Sequence, residues 1–401
     1  MKMTDLTVEV RNKQLERLGL IRPEELVLEL EDAFNNIGTW KVTLAAEHPL
    51  ADELRLPGSG LIITGTTDVL MSGPTTANEF AATPEDPGGS IVFSGISDSS
   101  ILLDYLAFPQ PSNVDPTSQT ESHDVRTGKA ESVMHAYVRA NAGVNAPVTR
   151  RKPRLTTGVD LSRGPTVTKS ARFPVLGNLI SELAVLADLG FRIVQRDDVL
   201  VFETYAVTDR SSYIRLDVQN NSLSGSRVSI GAPGATRVIV AGQGEMVKRN
   251  FREVTTVESI AAESEWGRRI EVFQDQRNTN EDDELDQSGQ ELLAEQGFTA
   301  IGVQAVPAED SAMEFGKDWG MGDRVSVVVD DHELTSTVTG LVLKADSEGF
   351  RLGALLGTTT GFNSEARTSQ RVQSTEKRIS ELERNGSAGN GDEIMQIMKV
   401  W

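Results

Sequence analysis

Short segments that alternate apolar and polar side chains, separated by residues typical of turns, constrain the fold of this 401-residue chain more than any other feature. The alternation is seen at Thr7–Val10, Leu26–Leu30, Trp40–Leu44, 61–64, 69–72 and 90–94. A period of two residues is that of a β-strand with one buried face. The 35 glycines and 15 prolines of the chain supply turns between such strands. Residues 1–110 are therefore predicted to form a small barrel or sandwich.

A helical pattern interrupts the strands in the next part of the chain. Lys129–Asn141 and Leu176–Leu189 carry apolar residues at helical spacing. Two predicted strands, Phe191–Gln195 and Val199–Tyr205, follow the second helix and are close enough for a tight turn. We interpret residues 124–207 as an α+β domain in which a helix packs on a hairpin.

Strand patterns return after residue 208. They are predicted at Tyr213–Asp217, Arg227–Ile230, Thr236–Ala241, Arg269–Phe273, Arg324–Val329, Thr335–Leu343 and Arg351–Leu355. A helix at Asn278–Gln296, with acidic residues in its first turns, interrupts them, and these acids suit the positive end of a helix dipole. The pattern predicts a second β domain over 208–360 with a helical insertion near 278–297.

The C-terminal part predicts a short coiled coil at 363–385, followed by a linker and tail at 386–401. Val372, Thr375, Ile379 and Leu382 recur at spacings of three and four residues, which predicts a seam facing other subunits. Two heptads bury little surface, so the seam is marginal alone. Val and Ile at one seam position with Leu at the other favour two strands by the usual rule.

Charge and composition exclude several classes of function. The chain has 59 acidic against 39 basic residues, a net charge of -20, which disfavours stable binding of nucleic acid. It has no cysteine, which excludes disulfides, thiolate metal sites and a cysteine nucleophile. No stretch reaches the roughly 18 apolar residues of a membrane span, so we expect no membrane anchor.

Motifs for catalysis or cofactor binding are weak or missing. The histidines at 48, 123, 135 and 332 stand alone, and no G-x-S-x-G elbow is present. Ala241–Glu245 contains one G-x-G, which we interpret as a turn after a strand because no third glycine follows. Asp275–Asp286 is rich in oxygen ligands, but Asp283 stands where an EF-hand requires glycine. We therefore predict no catalytic residue, no cofactor and no metal.

Several local patterns together resemble a family of minor tail proteins from long-tailed (siphovirus) phages of actinobacteria, related to tail-associated baseplate hub proteins. The matching stretches are 8–11, 38–44, 70–74, 163–168, 170–173, 241–245, 266–267, 269–273, 275–277 and 320–325. Each is weak alone, and their order along the chain is what makes the set specific.

The resemblance implies a homotrimer in which each subunit contributes two β-barrel-like hub domains. These would be 1–123, completed by about 208–235, and 208–360, with the domain at 124–207 outside the ring. It implies a non-enzymatic structural protein of the virion tail tip, assembled in the host cytoplasm, which closes the tail tube and passes DNA during host entry. The implied partners are the distal tail protein ring, the tape-measure protein and other baseplate or receptor-binding proteins.

Three other functions stay open on the sequence alone. A tail-borne hydrolase would need carboxylates converging in a cleft. A receptor- or carbohydrate-binding tail module would need exposed aromatic residues on one face, which an aromatic content of 5% does not favour. An acidic β-rich protein of another role is the third.

Overall fold

The structure, a computed structural model, describes residues 6–357 except 26, 66–67, 83–86, 246–247, 278, 308–312, 330–331 and 347–348. The predicted coiled coil and tail at 363–401, with Val372, Thr375, Ile379 and Leu382, lie outside the described residues.

The protein is mostly β, with few helices. The strands are β1 Thr7–Arg11, β2 Arg17–Ile21, β3 Val27–Ala33, β4 Thr39–Ala45, β5 Gly60–Thr64, β6 Val69–Ala81, β7 Ser90–Ile96, β8 Asp124–Lys129, β9 Leu155–Thr157, β10 Thr166–Ala171, β11 Leu189–Arg196, β12 Val199–Ala206, β13 Arg215–Leu216, β14 Leu223–Gly231, β15 Arg237–Ala241, β16 Phe251–Val254, β17 Glu271–Asp275, β18 Ala300–Pro307, β19 Arg324–Val329, β20 His332–Asp346 and β21 Gly349–Gly357. The helices are α1 Ala51–Arg55, α2 Ile101–Asp104, α3 Ala130–Asn141, α4 Leu176–Ala187, α5 Val257–Trp266 and α6 Asp282–Gln296, and short 3-10 turns lie at Pro23–Glu25 and Asp98–Ser100.

A 13-stranded sheet, here called the main sheet, joins the two ends of the described chain. Its order is β14-β18-β21-β20-β3-β4-β7-β6-β5-β1-β2, and β19 and β13 continue from β20. The early strands form one half and the late strands the other. The two halves meet where β3 pairs antiparallel with β20, from Leu28 opposite Ala345 to Ala33 opposite Gly340.

The main sheet curls around one hydrophobic core that both halves share. Inward side chains follow the alternation seen in the sequence: Leu28 and Leu30 on β3, Trp40 and Val42 on β4 are all buried. Gly95 on β7 permits a close approach of the Trp40 indole, because a Cβ atom on Gly95 would lie 2.1 Å from it. Irregular registers in β6 and β20 are bulges that bend these long strands.

The helix–hairpin unit, residues 124–206, packs α3 and α4 on the β11–β12 hairpin around a second core. The helix predicted at Leu176–Leu189 ends earlier, at Ala187, because Asp188 is left-handed (φ 55°) and Leu189 begins β11. Strands β8 and β10 form a separate ribbon. Neither strand is predicted from the sequence pattern; β8 alternates only between half-buried and exposed side chains and so lacks an apolar face.

The inserted βα unit, residues 235–297, contains a sheet in the order β16-β15-β17, with β15 packed on α6. The helix predicted at Asn278–Gln296 is observed as α6, from Asp282 to Gln296. Helix α5 is not predicted from the sequence pattern, because it buries only Ser259 and Ala262 and so shows little amphipathic character. The strand predicted at Tyr213–Asp217 was too long: only Arg215–Leu216 pairs, and Tyr213 lies in a turn.

In the part of the chain that the structure describes, no helix combines the length and apolar character needed to cross a membrane.

Candidate functional site

The helix–hairpin unit is joined to the main sheet by a buried polar network. The Arg11 guanidinium donates to both oxygens of Asp98, at 2.7 and 2.8 Å, and the two side chains are 3% exposed. Arg11 also donates to Gln195 on the hairpin at 2.9 Å. Ser72 links the same groups, since its hydroxyl donates to Asp98 at 2.6 Å and accepts from the Gln195 amide at 2.7 Å. The network fixes the hairpin relative to β1 and β6.

A second connection runs from the turn between β3 and β4 to the hairpin. Asn35 has a left-handed backbone (φ 53°) and a buried side chain. Its amide donates to the Leu189 carbonyl and its oxygen accepts from the Phe191 amide, both at 2.8 Å. These two hydrogen bonds place the start of β11 next to the end of β3.

An ion-pair cluster of two arginines and two acids lies beside this junction. Arg192 donates to Asp68 at 2.6 Å and to Glu203 at 3.1 Å. Arg196 donates to the same two acids, at 2.8 Å for Glu203. Burial acts to raise the pKa of Asp68, but the hydrogen bonds from Arg196 and Arg192 outweigh it and hold that pKa well below its ordinary value. Both carboxylates are therefore neutralised by the arginines.

A cavity of about 600 Å³ opens between the main sheet, the hairpin and the segment 315–321. This junction cavity is lined by Asp32, Ala33, Asn36, Asp68, Val69, Leu70, Ser99, Gly158, Val159, Leu161, Phe191, Arg192, Glu203, Thr204, Tyr205, Phe315, Gly316, Gly320, Met321 and Leu341. Its volume is within the usual range for sites that bind small molecules or side chains.

Asp32 is the one acid on the cavity wall that the described residues leave without an ion-pair partner. Its Oδ1 accepts a hydrogen bond from the Ala33 amide at 3.0 Å. Burial raises the pKa of Asp32 to about 6, against the opposing effects of that hydrogen bond and the charge of Arg192. Burial and the charge of Asp32 also raise the pKa of Tyr205, although Arg192 opposes this. A half-buried carboxylate with a raised pKa marks the cavity as the candidate binding site.

Hydrolysis of a glycoside would need more free carboxyl groups than the described residues of the cavity wall supply. That reaction uses two carboxyl groups in separate roles. Asp68 and Glu203 are held by arginines, which leaves Asp32 alone. Among the described residues, no group of three or more His, Asp or Glu side chains could hold a metal ion.

The sequence motifs lie elsewhere. The G-x-G at 242–244 follows β15 as a turn, as predicted, and the Arg249 guanidinium donates to the Gly242 carbonyl at 2.8 Å. Of the acids between 275 and 286, Asp275 pairs with Arg249, and Asp286 pairs with Arg252 at 2.6 Å. The isolated histidine 135 is a core residue, fully buried, and its Nε2 lies 3.0 Å from the Thr204 hydroxyl.

Strands β2 and β14 lie at the two ends of the strand order given above for the main sheet. In the described residues β2 pairs only with β1, and β14 only with β18. Both edges carry exposed aliphatic side chains: Leu20 on β2 is 58% exposed and Ile230 on β14 is 62% exposed. Edges of this kind are able to pair with another chain.

Comparison with solved structures finds the same fold in three prophage or bacterial tail proteins. The 43 kDa tail protein of prophage MuSo2 from Shewanella oneidensis matches with a TM-score of 0.53 and 10% identity, over 88% of this chain and 98% of that one. Prophage tail protein gp18 from Listeria monocytogenes EGD-e matches with a TM-score of 0.54 and 11% identity, over 92% and 99%. The tail protein from Neisseria meningitidis MC58 matches with a TM-score of 0.53 and 11% identity, over 88% and 96%.

At these identities the likeness shows the fold alone. No curated protein sequence matches this chain. The profile of one protein family, described as Siphovirus ReqiPepy6 Gp37-like protein, matches residues 7–358, and because this span is most of the chain, the protein belongs to that family.

Proposed function

We propose that the protein is a non-enzymatic structural subunit of the baseplate hub at the tip of a siphovirus tail. The observation that carries the proposal is the main sheet, in which early and late strands of one chain are joined where β3 pairs with β20. The siphovirus family and the fold shared with tail proteins over nearly their whole length support it.

In this proposal the two halves of the main sheet are two lobes, each a β-barrel-like hub domain, with approximate limits of 1–123 and 208–360. The strands within 208–235, β13 and β14, pair with the late strands β19 and β18 and so lie in the second lobe rather than completing the first. Three copies would then present six similar lobes in a ring that closes the tail tube. The helix–hairpin domain, 124–207, would lie outside the ring. Closed rings of identical subunits need an interface that joins two different surfaces of the same chain. The β2 and β14 edges are two such surfaces.

The edge contact is tested by placing charge on it. Leu20→Asp and Ile230→Asp should each weaken self-association, because a buried unpaired charge opposes an interface. Val148→Asp is the control, since Val148 is 81% exposed and lies in a loop of the helix–hairpin unit, outside the main sheet. If all three variants and the wild type associated equally, the β2 and β14 edges would be excluded as the contact between subunits.

The C-terminal coiled coil at 363–385 is proposed as a second contact between subunits, with Val372, Thr375, Ile379 and Leu382 in the seam. Replacing Ile379 and Leu382 together with Asp should reduce association, since the seam buries little surface and tolerates no charge. An unchanged oligomer mass would count against the seam.

The proposed partners are the distal tail protein ring above, the tape-measure protein, and other baseplate or receptor-binding proteins. DNA would pass through the ring during host entry without stable binding, and the net charge of -20 would keep DNA from adhering. A strongly basic channel lining in a structure of the assembled ring would contradict this part of the proposal.

Light scattering of the purified full chain, at several concentrations, tests the trimer. The proposal expects a mass three times the 43.5 kDa of one chain. A stable dimer or hexamer at all concentrations would refute the threefold arrangement.

A further inference from the structure

We propose that the junction cavity binds an alkylammonium group, the lysine side chain of a partner polypeptide, with its ammonium on the Asp32 carboxylate and its alkyl stem along the apolar wall. This inference goes beyond the hub proposal and does not depend on the trimer.

The position of Asp32 on β3 is the first observation. Leu28 and Leu30 precede it at intervals of two and are buried in the core, so Asp32 stands on the inward face of the strand. Leu341, opposite it on β20, is also buried. A carboxylate at such a position costs free energy unless a partner neutralises it, and within the described residues no such cation contacts it.

The charges around the cavity leave room for one cation. Asp32, Asp68 and Glu203 supply three negative charges. Arg192 and Arg196 supply two positive charges, and both guanidinium groups are engaged with Asp68 and Glu203. One negative charge therefore remains, and it is that of Asp32.

The geometry of the carboxylate favours an ammonium over a guanidinium. Oδ1 of Asp32 already accepts from the Ala33 amide, which leaves Oδ2 as the acceptor for a ligand. A single oxygen suits a compact ammonium, whereas arginine binds best to two oxygens side by side. A hard metal ion needs several oxygen ligands, and the described residues do not group them here.

The rest of the wall suits an alkyl stem attached to a polypeptide. Phe191, Met321 and Leu341 give the cavity an apolar side. Val159 and Leu161, which also line it, are 76% and 62% exposed. A bound polypeptide would cover these two exposed aliphatic side chains beside the opening, whereas a small free amine would leave them in contact with water.

Calorimetric titration of the full chain at pH 8 tests the proposal with defined probes. Nα-acetyl-lysine N-methylamide is expected to bind, and its norleucine analogue, which lacks the ammonium, is expected to bind at least tenfold more weakly. Asp32→Asn should lose at least tenfold in affinity for the lysine probe. Glu29→Gln is the matched control on the same strand, since Glu29 pairs with Lys41 on the other face and does not line the cavity.

Equal binding of the lysine and norleucine probes, or full binding by Asp32→Asn, would overturn the site. If cadaverine bound more tightly than the lysine probe, the ligand would be a free amine and not the side chain of a polypeptide. If calcium bound and Asp32→Asn abolished that binding, the ligand would be a metal ion and not an ammonium group. Asp32→Leu guards against misfolding, because it fills the position with the apolar residue that its neighbours carry and should fold while binding nothing.

Discussion

Replacing Asp32 with Asn should make the protein more stable at neutral pH. Asn keeps the shape of the side chain and still accepts the Ala33 amide, but it carries no charge into the cavity wall. The pKa of Asp32 is raised from 3.8 to about 6 in the folded protein. The folded state therefore holds this proton more tightly than the unfolded state does, and the wild type loses stability as pH rises through that range.

The size of the effect follows from the same two values. One pKa unit corresponds to 1.36 kcal/mol, so the difference between 3.8 and about 6 gives an upper value of ~3 kcal/mol. Because Asp32 is half-buried, water screens part of this, and we expect about 2 kcal/mol. The advantage of Asp32→Asn should be absent below about pH 4, should grow between pH 4 and 6, and should stay constant above.

Urea unfolding of the wild type and of Asp32→Asn from pH 4 to pH 8 measures this advantage. The difference between the two free energies of unfolding cancels the effect of every titrating group that the two proteins share. Glu29→Gln, a half-exposed acid on the same strand, should change stability by less than about 0.5 kcal/mol throughout. An Asp32→Asn advantage that is the same at pH 4 and pH 8, or a variant that is less stable at pH 8, would refute the reasoning.

Three further predictions concern the packing of the units. Asp98→Asn should destabilise the protein by about 3–5 kcal/mol in urea unfolding, because it leaves the buried Arg11 charge without its partner; a loss below 1 kcal/mol would contradict it. Gly95→Ala should cost about 1–3 kcal/mol and alter the near-ultraviolet signal of Trp40, which a Cβ at 2.1 Å must displace; an unchanged signal would contradict it. Burial acts to raise the pKa of Glu131, but hydrogen bonds from Arg163 and Thr204 outweigh it and lower that pKa to about 2. The ionised Glu131 therefore contributes about 3 kcal/mol to the stability of the fold, and this should be lost as pH falls from 4.5 through 2. Glu131→Gln should remove that acid dependence, and an unchanged pH profile would count against it.

Local pattern predicted much of the secondary structure. The alternation around Trp40 and the helical spacing before Ala187 depend only on near neighbours in the sequence, and both elements are confirmed. The motif-based resemblance to siphovirus tail proteins is also confirmed, by the family match over residues 7–358.

The sequence pattern did not predict which strands pair when they are far apart in the chain. The main sheet depends on β3 meeting β20, about 300 residues later, and a period of two does not specify which strand is the partner. The capping box at Thr256 and Ser259 was a signal for α5 that the search for apolar faces missed.

The candidate cavity was missed for a similar reason. The strand predicted from the alternation ends at Leu30, whereas β3 continues to Ala33 and places Asp32 on the inward face. Extending the period by one step would have predicted a buried acid. The other walls, from the β11–β12 hairpin and the segment 315–321, come together only through tertiary packing.

The central proposal is that three copies of this chain form the ring at the tip of the tail. Cryo-electron microscopy of the tail tip of virions that carry the protein tests it most directly. The proposal predicts density for the main sheet in three copies around the tail axis, at the end of the tube, with the helix–hairpin unit outside. The absence of this fold from the tip, or its presence in a number of copies other than three, would contradict the account.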